Sequence, residues 1–292
     1  MSSLKGSYLH FSVVGKLITL LAITLFVTLI LLPVIAIVSI ANPSSVELMK
    51  LSQLLLSVGM FVVPPFVLAY LCSNNSLIFL HFDKKINWVD ITLVIFFMVL
   101  IIPFVNLLGD LNHRMVLPKV FSGLETWMKV SEDQAMQFTE RLLNVHSIQS
   151  LFFNIFLIAM IPALGEELFF RGALQGILQQ KMNVKLVVWI VAIIFSAIHL
   201  QFYGFFPRML LGAFFGYLLI WSENMWLPIV AHFTNNVIAV IFYYFKNNGY
   251  QLIDIDTIGV GKTLWIGCVS GVLVLIGFFY FYNRFSLKVK PN

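Results

Sequence analysis

Apolar residues in this chain come in long unbroken runs, each about as long as a bilayer is thick. The runs cover 17–41, 51–72, 88–108, 150–179, 184–200, 205–221, 226–245 and 263–282. About 20 apolar residues in an α-helix cross the hydrocarbon core, so the pattern predicts an all-α polytopic membrane protein with about eight transmembrane helices. An outer-membrane barrel is excluded, because its strands alternate apolar and polar residues. The first run follows Lys5 and Lys16, is too long for a signal-peptide core and has no small-residue cleavage site after it, so it should persist as a helix. Pro64-Pro65 should kink the second run, and Pro103 lies inside the third. The polar stretch 109–149 scatters Leu124, Trp127, Met128, Met136, Phe138, Leu142 and Leu143 among charges, which predicts short amphipathic helices at the membrane interface. Residues 1–149 thus hold the N-terminal helices and this interfacial segment, and 150–292 a denser helical core, together forming one integrated membrane domain.

Composition sharpens that reading. The 292 residues are 60% hydrophobic and only 11% charged, against about 25% charged in a soluble domain. About eight spans of roughly 20 residues would leave ~130 residues to carry nearly all the charge, at about the soluble density. A water-soluble enzyme, a secreted disulfide scaffold and a disordered chain are excluded. The net charge of +5 fits the cationic bias of cytoplasmic loops rather than an affinity for nucleic acid. An even number of spans puts both termini on one side with Lys5, Lys16, Lys84, Lys85, Lys181, Lys185, Arg284, Lys288 and Lys290. That side is expected to be cytoplasmic. Cys72 and Cys268 lie in or beside apolar runs without CxxC spacing and read as structural thiols.

Some residues contradict their apolar surroundings. A charge at the centre of a span costs about 2.5–3.5 kcal/mol on insertion scales and needs a reason. The fourth run, LFFNIFLIAMIPALGEELFFRGALQGIL, contains Glu166, Glu167 and Arg171. Glu167 and Arg171 are i,i+4 and can pair on one face. Glu166 lies about 100° round the helix, with its carboxylate left for another partner. Pro162 and Gly165 should loosen the backbone and admit a neighbouring helix or water. A buried Glu–Arg pair alone could simply hold helices together; the additional glutamate adds a desolvation cost that such a pair does not need. Of the six histidines, His199 in FSAIHL and His232 in IVAHFTNN lie in or at the ends of apolar runs, whereas His10, His81, His113 and His146 lie in polar or boundary sequence. His232 and Asn236 share a helix face, and Asn235 should face elsewhere, as a helix–helix hydrogen bond.

These are parts for hydrolysis. A carboxylate in a low-dielectric site can take a proton from water. Imidazole can orient that water or bind a metal, and a carboxamide or imidazole can donate to an oxyanion. HExxH, GxSxG and a glycine-rich phosphate loop are all absent.

Glu166-Glu167-x-x-x-Arg171, Phe195-x-x-x-His199 and His232-x-x-x-Asn236, in this order on successive apolar runs, resemble the three motifs of the CPBP intramembrane proteases. These include Rce1-like CAAX-prenyl endopeptidases and the bacterial Abi proteins. The resemblance covers about 161–240 and implies an active site in a cavity between helices of the 150–292 core. It also implies that Glu166 activates water, His199 helps to position it, His232 and Asn236 stabilise the oxyanion, and Glu167 and Arg171 organise the site. Family members are called metalloproteases, and Glu166, His199 and His232 could make a zinc site. The substrate so implied is a membrane-associated, possibly lipidated, peptide. Two other functions use the same parts: a non-proteolytic immunity or scaffold protein, and a transporter or proton relay. The topology sets one condition. Under simple alternation His199 is late in its span and His232 early in a span crossing the same way, so shared chemistry requires offset helix ends or a re-entrant stretch around 201–208.

Overall fold

In a computed structural model, residues 4–42, 45–250 and 254–286 are described; Lys288 and Lys290 lie outside them. All regular structure among these residues is helical. Helix α1 (Val13–Ala41) starts at the Ser12 cap, whose hydroxyl accepts from Gly15 N–H. It is followed by α2 (Val46–Cys72), the bent pair α3 (Trp88–Leu100) and α4 (Ile102–His113), and α5 (Ser122–Leu143). The second half holds α6 (Ile148–Leu178), α7 (Val184–Ala197), α8 (Phe205–Ser222), α9 (Trp226–Asn247) and α10 (Leu264–Ser286).

Among the described residues six helices are long and apolar enough to cross a bilayer, or seven with α3 and α4 taken as one span bent by 41°. The remaining apolar run, 184–200, forms α7, whose 14 residues reach only about 21 Å at 1.5 Å per residue, short of the ~30 Å core. The bend between α3 and α4 falls at Ile101, just before Pro103. Pro64-Pro65 act differently. They enter the first turn of a renewed α-helical stretch, behind a π-helical stretch Val58–Val62, and α2 continues as one span. A widened turn absorbs the hydrogen bonds that proline cannot complete. Pro162 does the same in α6, behind the π stretch Ile155–Met160. The polar segment also departs from expectation: much of it is one 22-residue helix, α5, instead of several short ones.

One face of the molecule gathers the ends of the described chain and three connections. Lys16 Nζ donates to Gln180 Oε1 at 3.2 Å, Lys84 pairs with Glu223 at 3.2 Å, and Arg284 Nε donates to Asp90 Oδ1 at 2.5 Å. The last joins α10 to α3 across the boundary between the two halves. Lipid-facing residues such as Leu25, Phe26, Leu29, Leu275 and Phe279 are exposed on α1 and α10, as bilayer-facing helices require.

The core is aromatic and tight. Phe97, Phe214, Phe215, Leu218 and Phe281 pack α3, α8 and α10 together, and Leu68, Phe170, Ile177, Val191 and Phe195 join α2, α6 and α7. Close approach of α8 to its neighbours depends on Gly212 and Gly216, one turn apart, the small-residue spacing that lets membrane helices meet. A Cβ on Gly216 would lie 2.8 Å from Gln175 Oε1 and 3.1 Å from Val188 Cγ1. Gly216→Val should therefore overpack this contact and cost about 1–3 kcal/mol, read as a lowered melting temperature in detergent. An unchanged melting temperature would show that α8 does not lie this close.

Candidate active site

The site is assembled around α6. Pro162 and the π stretch before it widen the helix, and Gly165 lets α2 approach: a Cβ there would sit 3.0 Å from the Phe61 side chain. A second π-helical stretch, Leu168–Gln175, carries Arg171 and Gln175 toward α8. Arg171 Nη2 donates to the Gly212 carbonyl at 2.9 Å and Gln175 Nε2 to the Gly216 carbonyl at 3.3 Å. The same glycines that let the helices approach thus expose backbone acceptors.

Glu167 and Arg171 are a fully buried pair, at 0% exposure each, with Arg171 Nη1 donating to Glu167 Oε1 at 2.8 Å. The guanidinium also lies against the rings of Phe195 and Phe215, 4.5 Å and 5.4 Å from their centroids. Glu167 Oε1 accepts a second hydrogen bond, from His232 Nδ1–H at 2.9 Å. That bond sets the ring: its Nε2 is turned toward Glu166. Phe215 stacks on the same imidazole at 5.3 Å. His199 is set in a parallel way, its Nδ1–H donating to the Phe195 carbonyl at 2.7 Å.

Glu166 Oε2 lies 3.8 Å from His199 Nε2 and 3.9 Å from His232 Nε2. These groups line a cavity of about 620 Å³ that extends past Asn236 to the underside of α5, at Phe138 and Leu142. All seven residues named in the three motifs are brought together, five of them, Glu166, Phe195, His199, His232 and Asn236, on the cavity wall and Glu167 with Arg171 directly behind.

The depth conflict is resolved by the short helix. Because α7 ends at Ala197, His199 sits in a turn that reverses through Leu200, at φ 54°, and a 3-10 turn Phe202–Gly204 into α8. Irregular backbone at this depth must be satisfied by protein. Asn112 donates to the Phe202 carbonyl at 3.1 Å and accepts from Phe206 N–H at 2.9 Å, Ser196 donates to the Phe205 carbonyl at 2.7 Å, and Glu132 on α5 accepts from Tyr203 N–H at 3.2 Å.

Two expectations change. Asn235 does not face elsewhere: it lines the cavity and its Nδ2 donates to Asn236 Oδ1 at 3.3 Å, which leaves the Asn236 amide nitrogen as a donor. Arg208 and Gln201 also line the cavity and were not singled out. Arg208 carried a usable signal, an ionisable residue in the apolar run 205–221, by the same rule that marks Glu166. Gln201 carried none.

Ligands of a tetrahedral zinc with bonds of about 2.0–2.1 Å are about 3.3–3.4 Å apart. The separations of 3.8 and 3.9 Å exceed that, and no group of three or more His, Cys, Asp or Glu among the described residues is set for a metal ion. As arranged, the three atoms fit a hydrogen-bonded water; a zinc would need them to contract.

Residues 148–238 match the family model described as Type II CAAX prenyl endopeptidase Rce1-like. That stretch holds all seven motif residues, and the resemblance to the CPBP and CAAX proteases is borne out over it. No curated protein and no solved structure matches.

The buried pair yields a test that does not need a substrate. Arg171→Leu leaves the Glu167 carboxylate uncompensated and should cost about 3–5 kcal/mol. Glu167→Gln combined with Arg171→Leu should recover part of this in a thermal melt. If Arg171→Leu leaves the melting temperature where it was, the pair is not buried.

Proposed function

We propose that this chain, Rce1-like over residues 148–238, is an intramembrane endopeptidase that hydrolyses a membrane-associated peptide, with or without a lipid anchor, with a Glu166-activated water. The observation that carries the reading is the placement of Glu166 Oε2 between the Nε2 atoms of His199 and His232 on a cavity wall.

The hydrogen bonds behind each imidazole divide the work. His199 spends its Nδ1–H on a carbonyl, so its Nε2 lone pair is an acceptor and orients the attacking water. Glu166 takes the water proton as hydroxide adds to the scissile carbonyl carbon. His232 is held from behind by the Glu167 carboxylate, and an N–H at Nε2 would hydrogen-bond the developing oxyanion, keeping its proton as the carbonyl re-forms. The Asn236 amide nitrogen, left as a donor by Asn235, is the second group on the oxyanion. Glu166 then returns its proton to the departing amine. Zinc on Glu166, His199 and His232 would supply a Lewis acid in the same place, but the separations do not suit it and no step above requires it.

We also assign the face of Lys16, Lys84, Lys181 and Arg284 to the cytoplasm of a bacterial inner membrane.

Glu166→Gln should lower cleavage of an anchored peptide by purified protein at least about a hundredfold, with folding intact by size-exclusion chromatography. Undiminished turnover would remove Glu166 from the role of base. The same assay reads the metal question. Turnover should survive exhaustive chelation, and a loss that zinc restores would establish a metal-bound arrangement instead.

A further inference from the structure

We propose that Arg208 forms an anion subsite in this cavity and that the enzyme selects peptides placing a carboxylate there. The inference rests on the endopeptidase reading for the nature of the ligand, and on the following geometry for its charge.

Among the described residues two arginines lie within the membrane-spanning helices at the cavity, Arg171 and Arg208, and they are treated differently. Arg171 is neutralised by Glu167 at 2.8 Å. Arg208 lines the cavity beside Glu166, His199 and His232, yet no carboxylate among the described residues lies within ion-pair distance of it. Glu132, on the helix that covers the cavity, has Oε2 bonded to Tyr203 N–H instead.

The guanidinium is nevertheless aimed. Nη2 donates to Gln201 Oε1 at 2.6 Å and Nη1 to the Gln201 carbonyl at 3.3 Å. These bonds use two of the five N–H donors of an arginine and hold the planar group from one side. Gly204 leaves room on another: a Cβ there would come within 3.2 Å of Nη2. Glu132 and Glu166 reach it only at longer range than an ion pair, and a cation fixed in a low-dielectric wall with donors to spare and no carboxylate in contact gains from a ligand that supplies one. The planar fork suits a carboxylate, which it can bind through two parallel hydrogen bonds. A peptide offers that group from two sources, its C-terminus or an acidic side chain.

The competing explanation is that Arg208 only clamps the turn at Gln201. Binding to full-length protein in lipid nanodiscs separates the two. The probe is an acyl-anchored fluorescent peptide in four forms, with a free or amidated C-terminus, each carrying an internal Glu or Gln. Binding is measured in a Glu166→Gln background, where hydrolysis does not interfere. Forms carrying one of the two carboxylates should bind about tenfold more tightly than their neutral counterparts, and the form that gains identifies the source. Arg208→Gln should erase the preference while leaving neutral forms unaffected, and Arg208→Lys should keep part of it. Equal weakening of all four forms by Arg208→Gln would assign the residue to the clamp and overturn the proposal. So would equal binding of the four forms, or none, before that change. If the preference holds but protein with Glu166 unchanged cleaves none of the four forms, that would count against the endopeptidase reading alone.

Discussion

A single carboxylate oxygen, Glu167 Oε1, holds the centre of this molecule together. It accepts from Arg171 at 2.8 Å and from His232 at 2.9 Å, without exposure to solvent or lipid. Arg171 continues to the Gly212 carbonyl, so one buried anion connects α6 to α8 and α9. A charge in this environment tolerates loss of its partner poorly, which makes the arrangement close to all-or-none. It is not optimised for stability: Glu167 Oε2 and Arg171 Nε remain buried without a hydrogen-bond partner. An apolar replacement of similar volume would avoid that cost, but would leave the His232 ring without a fixed orientation.

The helices around this centre are distorted where prolines and glycines permit. Pro64 and Pro162 each follow a π-helical stretch, and Gly165, beyond the second, packs closely against Phe61 and Val62 of the first. A regular α6 would carry Glu166 and Arg171 at a different rotation relative to α8 and α9. The same economy operates in the turn after α7. Asn112, Ser196 and Glu132 satisfy its backbone, so His199 can sit at the depth of His232 without leaving polar groups in hydrocarbon.

The sequence disclosed chemistry better than geometry. Glu166, Glu167 and Arg171 stand out because charge within an apolar run is costly, and their i,i+4 spacing already contains the buried pair. Hydropathy also finds each apolar run, but it measures length along the chain and not depth in the bilayer. It therefore treats the 14 residues of α7 as a full span and leaves His199 and His232 in conflict. Helix-face geometry likewise sends Asn235 away from Asn236, because neighbours are about 100° apart on an ideal helix. In the structure both reach a cavity wide enough to be lined by both. Whether a proline bends a helix or is absorbed was not legible either. Pro103 follows a 41° bend and Pro64-Pro65 follow a widened turn, a difference made by tertiary packing.

Glu166 and Glu167 are adjacent and chemically alike, yet their surroundings assign them opposite tasks. Glu167 Oε1 has two donors at hydrogen-bond distance and an arginine to balance its charge. That oxygen is occupied by both donors, so Glu167 serves as a fixed counter-charge. Glu166 Oε2 has no hydrogen-bond partner and faces the histidines at 3.8 and 3.9 Å. A carboxylate held this way is reactive because nothing within the protein competes for its lone pairs. In the proposed mechanism one turn of helix would supply both the base and the support of the oxyanion donor. The two identities could not be exchanged without also moving Arg171, because its guanidinium is hydrogen-bonded to Glu167 and not to Glu166.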